Sequence, residues 1–266
     1  MKTGDNKVSY SICVTTYNAA KTISSSLGSL LNHIDDRFEL VVVDNASTDG
    51  SLDFLRRLAG QGKIELVVAR CSRGKGRQIA FEHSRGAVII SNVDMDDIFE
   101  PTLQLLVSAY KSSLSGRVLR VVNKQKRGAV TLSPRPFLDE VGGWPDLNYV
   151  EDRYIWGRAA EQGIYCWSEY PLYSKVTKSR EKRSFLQRVD RIYGIQRDRI
   201  RIGAKPHVYK STWPLYPISY LAAKKAKQIA RPIFGGFWPD DPKYHADFVQ
   251  LAPPEHGVES KVREPY

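Results

Sequence analysis

Long apolar runs are missing from this chain of 266 residues: none approaches the roughly 20 residues that span a bilayer, and Met1 to Lys7 leads into no signal-type apolar segment. The expected location is therefore cytoplasmic. Cysteine is also scarce. Cys13, Cys71 and Cys166 are odd in number and widely separated, which argues against a disulfide framework and a cysteine-based zinc site. The five histidines, His33, His83, His207, His245 and His256, show no metal-ligand spacing. Gly74-Lys75-Gly76 suggests a phosphate loop, but Gly-x-x-x-x-Gly-Lys-Ser/Thr is absent, so ATP hydrolysis has no support. No repeat of solenoid length occurs. Acidic residues are rare in one region: between Pro171 and Arg231, 16 Lys/Arg face 3 Asp/Glu, so the net charge of +11 belongs to the C-terminal third. Such a region can serve nucleic acid, an anionic membrane surface or a phosphorylated substrate; no reader motif supports nucleic acid.

What is present is a globular composition, 42% hydrophobic and 11% aromatic, with an alternating pattern. Tyr10 to Thr15 is a brief β-rich stretch, and Ile23, Leu27, Leu30, Leu31 and Ile34 follow at helical spacing. Glu39 to Val43 is a second strand and Leu52, Leu55 and Leu58 mark a second helix, with Ser47, Thr48 and Asp49 as N-cap candidates. Ile64 to Ala69, a helix over Gly74 to His83, and Ala87 to Val93 repeat the unit. Alternating strands and helices imply a parallel sheet. Pro101 then opens a helix carrying Leu103, Leu106, Val107 and Tyr110, and Arg117 to Val122 and Ala129 to Leu132 are two further strands. Breakers from Ser133 to Pro145 end the alternation. Asn148 to Gln162 and Ser184 to Ile202 are expected helices, and Ile164 to Trp167 a returning strand. Trp213 to Ile218 and Ile233 to Trp238 bracket Lys224-Lys225-Ala226-Lys227. That pattern suits either an element lying on a membrane or a packed helix with solvated lysines.

The chemistry is expected where strands end. The run Ala87 to Val93 stops at Asp94, Asp96 and Asp97. In extended chain Asp94 and Asp96 point the same way and could share one hard cation, Mg²⁺ or Mn²⁺, leaving Asp97 on the other side as a helix cap or supporting residue. In a parallel sheet the loops after strands one, two and four share one edge. Thr16-Tyr17-Asn18, Asp44-Asn45 and Asp94-Met95-Asp96 would thus meet in one cleft that suits a nucleoside diphosphate: Tyr17 packing on a base, Asp44 accepting from a ring N–H, and a cation neutralising the pyrophosphate. Alone, an Asp-x-Asp also reads as a solvated acidic turn.

Five elements in this order and spacing make residues 8 to about 170 resemble the inverting family 2 glycosyltransferases of the GT-A fold: Ser11 to Ala19, Val41 to Ser51, Gly76 to Ala80, Asp94 to Asp97, and Glu151-Asp152. The resemblance implies a Rossmann-like, mostly parallel α/β sheet flanked by helices. It implies nucleotide-sugar binding by Thr16, Tyr17, Asp44 and Arg77, metal and ribose or diphosphate contacts through Asp94 and Asp96, and a catalytic base at Asp152. Asn45 stands where members often carry a second acid, and Ala80 where glycine is common. Asp152 also reads as a carboxylate favoured by a helix N-terminus, Arg77 as a solvated helix residue, and Trp144 as either an acceptor-pocket wall or core.

The chain is thus expected to divide into a catalytic domain over 1–175, with a nucleotide-sugar half to 100 and an acceptor half beyond it, a basic helical extension over 176–238, and a polar tail over 239–266. The expected function is metal-dependent, inverting transfer from a UDP- or GDP-type sugar to an acceptor hydroxyl or lipid phosphate. The acceptor would be a glycan or lipid-linked, and the enzyme peripheral on the inner face of the cell membrane. The alternatives are a nucleotide-sugar-binding protein without turnover, and a nucleotidyltransferase that would release pyrophosphate.

Overall fold

A computed structural model describes residues 8–122, 129–169, 174–176, 184–204, 216–230, 247–251 and 262–263. Its first half follows the alternation: β1 (Tyr10–Thr16), α1 (Ile23–Leu31), β2 (Phe38–Asp44), α2 (Ser51–Gly60), β3 (Glu65–Val68), α3 (Arg73–His83) and β4 (Val88–Ser91). These strands lie in the order β4-β1-β2-β3 and pair in parallel throughout. Because side chains alternate along a strand, both faces of β1 and β2 are apolar. Ile12, Val14, Leu40 and Val42 join one core, while Cys13, Val41 and Val43 join the other. Helices cover each face. α1 brings Ile23, Leu27 and Leu30 to the first core, and α3 brings Ala80 and Phe81 to the second.

The second half departs from simple alternation. β4 ends at Ser91, short of the expected Val93, because Asn92 turns to a left-handed φ of 62°. Asp94 to Asp97 is then a tight turn closed by the Asp97 amide donating to the Asp94 carbonyl (3.4 Å). Asp97 caps no helix. It opens the short strand β5 (Asp97–Phe99), and Pro101 stands at the cap of α4 (Thr102–Ser113). β6 (Val118–Val122) and β7 (Ala129–Pro134) follow, and β7 runs antiparallel between β4 and β6, so the sheet, nine-stranded among the described residues, is mixed.

The breaker-rich segment conceals a helix, α5 (Arg135–Val141). Pro136 sits in its first turn, where no N–H is needed, and Gly142 (φ 75°) ends it. α6 (Glu151–Glu161) and β8 (Tyr165–Glu169) follow, and β9 (Ser174–Val176) pairs with β5. α7 (Phe185–Arg201) starts at Ser184, whose capping box with Gln187 fits the expected boundary. α8 (Tyr216–Ile229) packs on it. Ile233 to Trp238 lies outside the described residues. The expected polar tail instead supplies an edge strand, β10 (Asp247–Val249), parallel to β8, with β11 (Val262–Arg263) beside it. Phe248 meets Trp167 edge-on at 4.7 Å, Arg117 pairs with Asp247, and Val249 and Leu251 are buried in the main core.

One close approach fixes the two halves. The Gly74 amide, in the first turn of α3, donates to the Leu147 carbonyl at 2.8 Å, and a Cβ added at Gly74 would overlap the Pro145 carbonyl oxygen. Gly74→Ala is expected to lower unfolding stability by about 1–3 kcal/mol, as overpacking does. A urea midpoint equal to that of the wild type would show that the 145–147 loop yields freely.

Candidate active site

Four loops border the candidate site, and each contains a non-glycine residue held at positive φ: Asn18 (48°) after β1, Ala46 (54°) after β2, Asn92 (62°) after β4 and Val150 (58°) before α6. No other described non-glycine residue adopts such a conformation. For a β-branched residue like Val150 it costs about 1–3 kcal/mol and persists only where neighbours fix it. The Asn18 turn shows how: its amide donates to Ser47 Oγ and its Oδ1 accepts from the Thr48 amide, both at 2.9 Å, tying the first two loops together.

Between these loops lies a cleft of about 370 Å³ whose walls include Thr16, Tyr17, Asn45, Arg77 and Asp94. Tyr17 is 59% exposed, a ring presented without a cover. Thr16 Oγ1 is buried with no hydrogen-bond partner among the described residues, so a bound polar ligand would complete it. Asp44, the expected base reader, does not reach the cleft. It is fully buried behind it, accepting from the Ser47 amide and Ser47 Oγ, each at 2.7 Å, and so shapes the loop. Asn45 takes the wall position, its Oδ1 accepting from the Cys71 amide at 2.9 Å.

Arg77 is a buried cleft residue, which excludes the solvated-helix reading. Its Nη1 donates to Glu151 Oε1 at 2.6 Å, with the two side chains 8% and 2% exposed. Burial pushes the Glu151 carboxyl above its ordinary value, opposed by the Arg77 guanidinium. Asp94 is exposed to solvent, yet it stands in the wall of the cleft among buried groups. That partial desolvation raises its carboxyl, Arg77 opposes, and the Asp96 charge adds to the rise. Asp94 and Asp96 are therefore neighbours through the turn, with no strand alternation involved. Asp152 stands in the first turn of α6, half-buried, with Oδ2 accepting from Asn92 Nδ2 at 3.3 Å and Oδ1 from the Arg153 amide at 2.8 Å. It does not line the cleft; Asn92 links it to the loop that carries Asp94. Trp144 is core, edge-on to Phe81 at 6.0 Å.

No cluster of three His, Cys, Asp or Glu among the described residues forms a full protein cage for a metal. Asp94 and Asp96 offer two hard oxygen donors, which fits a cation that keeps waters and ligand phosphates in its other positions. Sequence reasoning gave Glu151 no role of its own and passed over Asn92. The adjacency of both to assigned carboxylates was the available signal.

Replacing Arg77 by methionine would leave the Glu151 charge buried and unpaired, and is expected to destabilise the fold by about 3–5 kcal/mol. Adding Glu151→Gln should restore much of that loss. Additive losses in urea unfolding of the double variant would show that the two side chains are not coupled.

The profile described as Glycosyl transferase family 2 matches residues 11–145. An uncharacterised glycosyltransferase of Nostoc sp. is 29% identical over 107 residues, 39% of this chain and 33% of that one. The poly(ribitol-phosphate) beta-N-acetylglucosaminyltransferase TarS of Staphylococcus aureus is 33% identical over 154 residues, 55% of this chain and 26% of that one. The chain thus spans a third or less of the length of these relatives. Among solved structures, a TarS fragment in complex with UDP-GlcNAc superposes with a TM-score of 0.57 at 18% identity, covering 83% of this chain and 81% of that one. The mannosyltransferase PcManGT of Pyrobaculum calidifontis, in complex with GDP-Man and Mn²⁺, gives 0.55 at 21% identity over 82% and 73%. At such identities the two superpositions establish the shared GT-A fold. With the profile covering half of the chain, including β1, β2, β4 and the acidic turn, the chain belongs to glycosyltransferase family 2.

Proposed function

We propose that this chain transfers a sugar, with inversion, from a UDP- or GDP-type nucleotide sugar to an acceptor hydroxyl in a metal-dependent reaction. The carrying observation is the placement of Asp152 beside, and outside, a cleft that contains Tyr17, Arg77 and Asp94. Donor and base then occupy adjoining spaces, as in-line displacement requires. TarS and PcManGT, whose structures hold UDP-GlcNAc and GDP-Man with Mn²⁺, support a donor of this type.

Tyr17 packs on the nucleobase, Thr16 Oγ1 and Asn45 hydrogen-bond the nucleoside, and the Arg77 guanidinium faces the diphosphate. Asp94 and Asp96 would hold a divalent cation, which when bound supplies positive charge at the leaving diphosphate. Asp152 accepts the acceptor proton as that oxygen attacks the anomeric carbon; the bond from carbon to phosphate oxygen breaks and the nucleoside diphosphate departs from the opposite face. Asn92 orients the Asp152 carboxylate for this transfer. Asp152→Asn should lower transfer by at least about 100-fold while preserving the thermal shift given by UDP or GDP with Mn²⁺. Retained turnover would remove Asp152 from the mechanism.

The basic third of the chain supports a second element of the reading, peripheral contact with an anionic membrane face. No described helix is long and apolar enough to cross a membrane. Lys225 Nζ lies 5.8 Å from the Tyr193 ring, and further along both helices Ile229 borders the same pocket as Arg197 and Arg201, so α7 and α8 run side by side in one direction. Their starting ends carry exposed Phe185, Leu186, Tyr220 and Leu221, with exposed Lys224 one turn on. Apolar side chains beside lysines suit the boundary between headgroups and acyl chains. The protein should sediment with phosphatidylserine vesicles and not with phosphatidylcholine vesicles, and replacing those four apolar residues by serine should abolish sedimentation. Equal binding by the serine variant would exclude this surface.

A further inference from the structure

The residues that deliver Asp152 are held by a helix outside the segment that the family profile matches. Asp198, on α7, is fully buried. Its Oδ2 accepts from the backbone amides of both Asn148 and Tyr149 at 3.1 Å, and its Oδ1 accepts from Arg197 Nε at 2.8 Å. One turn earlier, Gly194 lies against the Tyr149 ring so closely that an added Cβ would overlap it, and the Arg191 guanidinium stands 5.4 Å from the centre of the same ring. At the end of α7, Ile202 and Ala204 bury Leu147, with Val150 and Tyr154 packed against that cluster. The loop over 147–150 is thus gripped along its length by one helix. From the other side, α3 holds the same loop: the Gly74 amide donates to Leu147 O at 2.8 Å and the Arg73 amide to Asn148 Oδ1 at 3.2 Å.

The residue that follows the two anchored amides is Val150, held at a φ of 58° that a β-branched side chain avoids, and α6 begins immediately after it with Glu151 and Asp152. A strained residue keeps its conformation only if the chain on both sides is fixed. After it, Glu151 is fixed by Arg77. Before it, the two backbone amides that directly precede Val150 are fixed on Asp198.

We propose that Asp198 is a positioning residue for the reaction: by accepting the Asn148 and Tyr149 amides it holds Val150 in its left-handed conformation and so sets the direction from which Asp152 meets the acceptor. This takes Asp152 to be the base proposed above. The functional unit then extends through α7, and the basic helix serves the proton-transfer step as well as any surface contact.

The test is Asp198→Ala in the full chain, read in two independent ways. In hydrogen exchange, the peptide covering residues 146–153 should lose protection at least about tenfold more than the sheet peptides, since two bonded amides are released. In transfer assays kcat should fall about 100-fold, the scale expected for misplacing a reacting group by about 1 Å, while KM for the donor changes little. The decisive variant is Asp198→Ala combined with Val150→Gly. Glycine adopts positive φ without strain, so it should recover at least about tenfold of the lost kcat; a merely structural defect would be deepened by the added flexibility. Unchanged exchange at 146–153, unchanged kcat, or a folded double variant without recovery would each overturn the proposal. Should Asp198→Ala fail to fold, Asp198→Leu, which fills a similar space and offers no acceptor oxygen, gives the same readouts. A wild-type protein inactive with every donor, yet showing the exchange effect of Asp198→Ala, would defeat the transferase reading and leave the anchoring of the loop intact.

Discussion

The buried ion pair between Arg77 and Glu151 joins the two halves of this molecule. Arg77 belongs to α3, packed on β1 and β2; Glu151 opens α6, packed on β6 and β8. Two charges that deep are tolerated only together, because either one alone would bear its full desolvation cost. The pair therefore fixes the register between the helices. It also sets the electrostatics of the cleft, since the same guanidinium opposes the desolvation of Asp94. Glu151 holds Arg77 in the cleft wall, and its neighbour Asp152 lies outside the cleft, accepting from Asn92, so one contact sets the spacing between the guanidinium and that carboxylate.

Around this pair the sheet and the loops divide the work. The apolar strands β1, β2 and β4 give three rigid ends at one edge, and burying their Ile and Val side chains, each worth about 1.5–3 kcal/mol, provides a base that does not yield. The loops beyond them, with the one before α6, carry the positive-φ non-glycine residues found among the described ones, at Asn18, Ala46, Asn92 and Val150. Such conformations cost stability and fix direction, which suits positions where a carboxylate or ring must face a ligand. Their supports are specific hydrogen bonds: Ser47 and Thr48 for the first loop, Asp198 for the last.

Much of the fold was legible in advance because its signals are local and periodic. Continuous Val and Ile runs gave the buried parallel strands, and the i, i+4, i+7 spacing gave α1. The ends of strands gave the candidate site, since parallel topology sends successive loops to one edge. Legibility failed where one contact overrides a local signal. The prolines at 134 and 136 read as breakers, yet a helix starts there because proline costs nothing in a first turn. Asp94 and Asp96 were paired by extended-chain geometry, but Asn92 turns the chain and a tight turn makes them neighbours. The polar-looking tail supplies Phe248 and Val249 to the sheet edge because β8 presents an open ladder there.

The sequence by itself determined the alternating α/β framework, the resemblance to family 2 glycosyltransferases, and the residue types of the site: ring, guanidinium, acidic pair and lone carboxylate. Tertiary structure decided which of these line the cleft. It turned Asp44 inward onto Ser47 and put Asn45 on the wall, buried Trp144 in the core, and gave Glu151 and Asp198 their supporting parts. The physical reason is distance along the chain. Spacing within one element fixes the direction of a side chain to within a face, but the partner that fixes its final orientation lies 74 residues away for Arg77 and 49 for Tyr149. No local pattern encodes which of many buried polar groups will meet across such a gap.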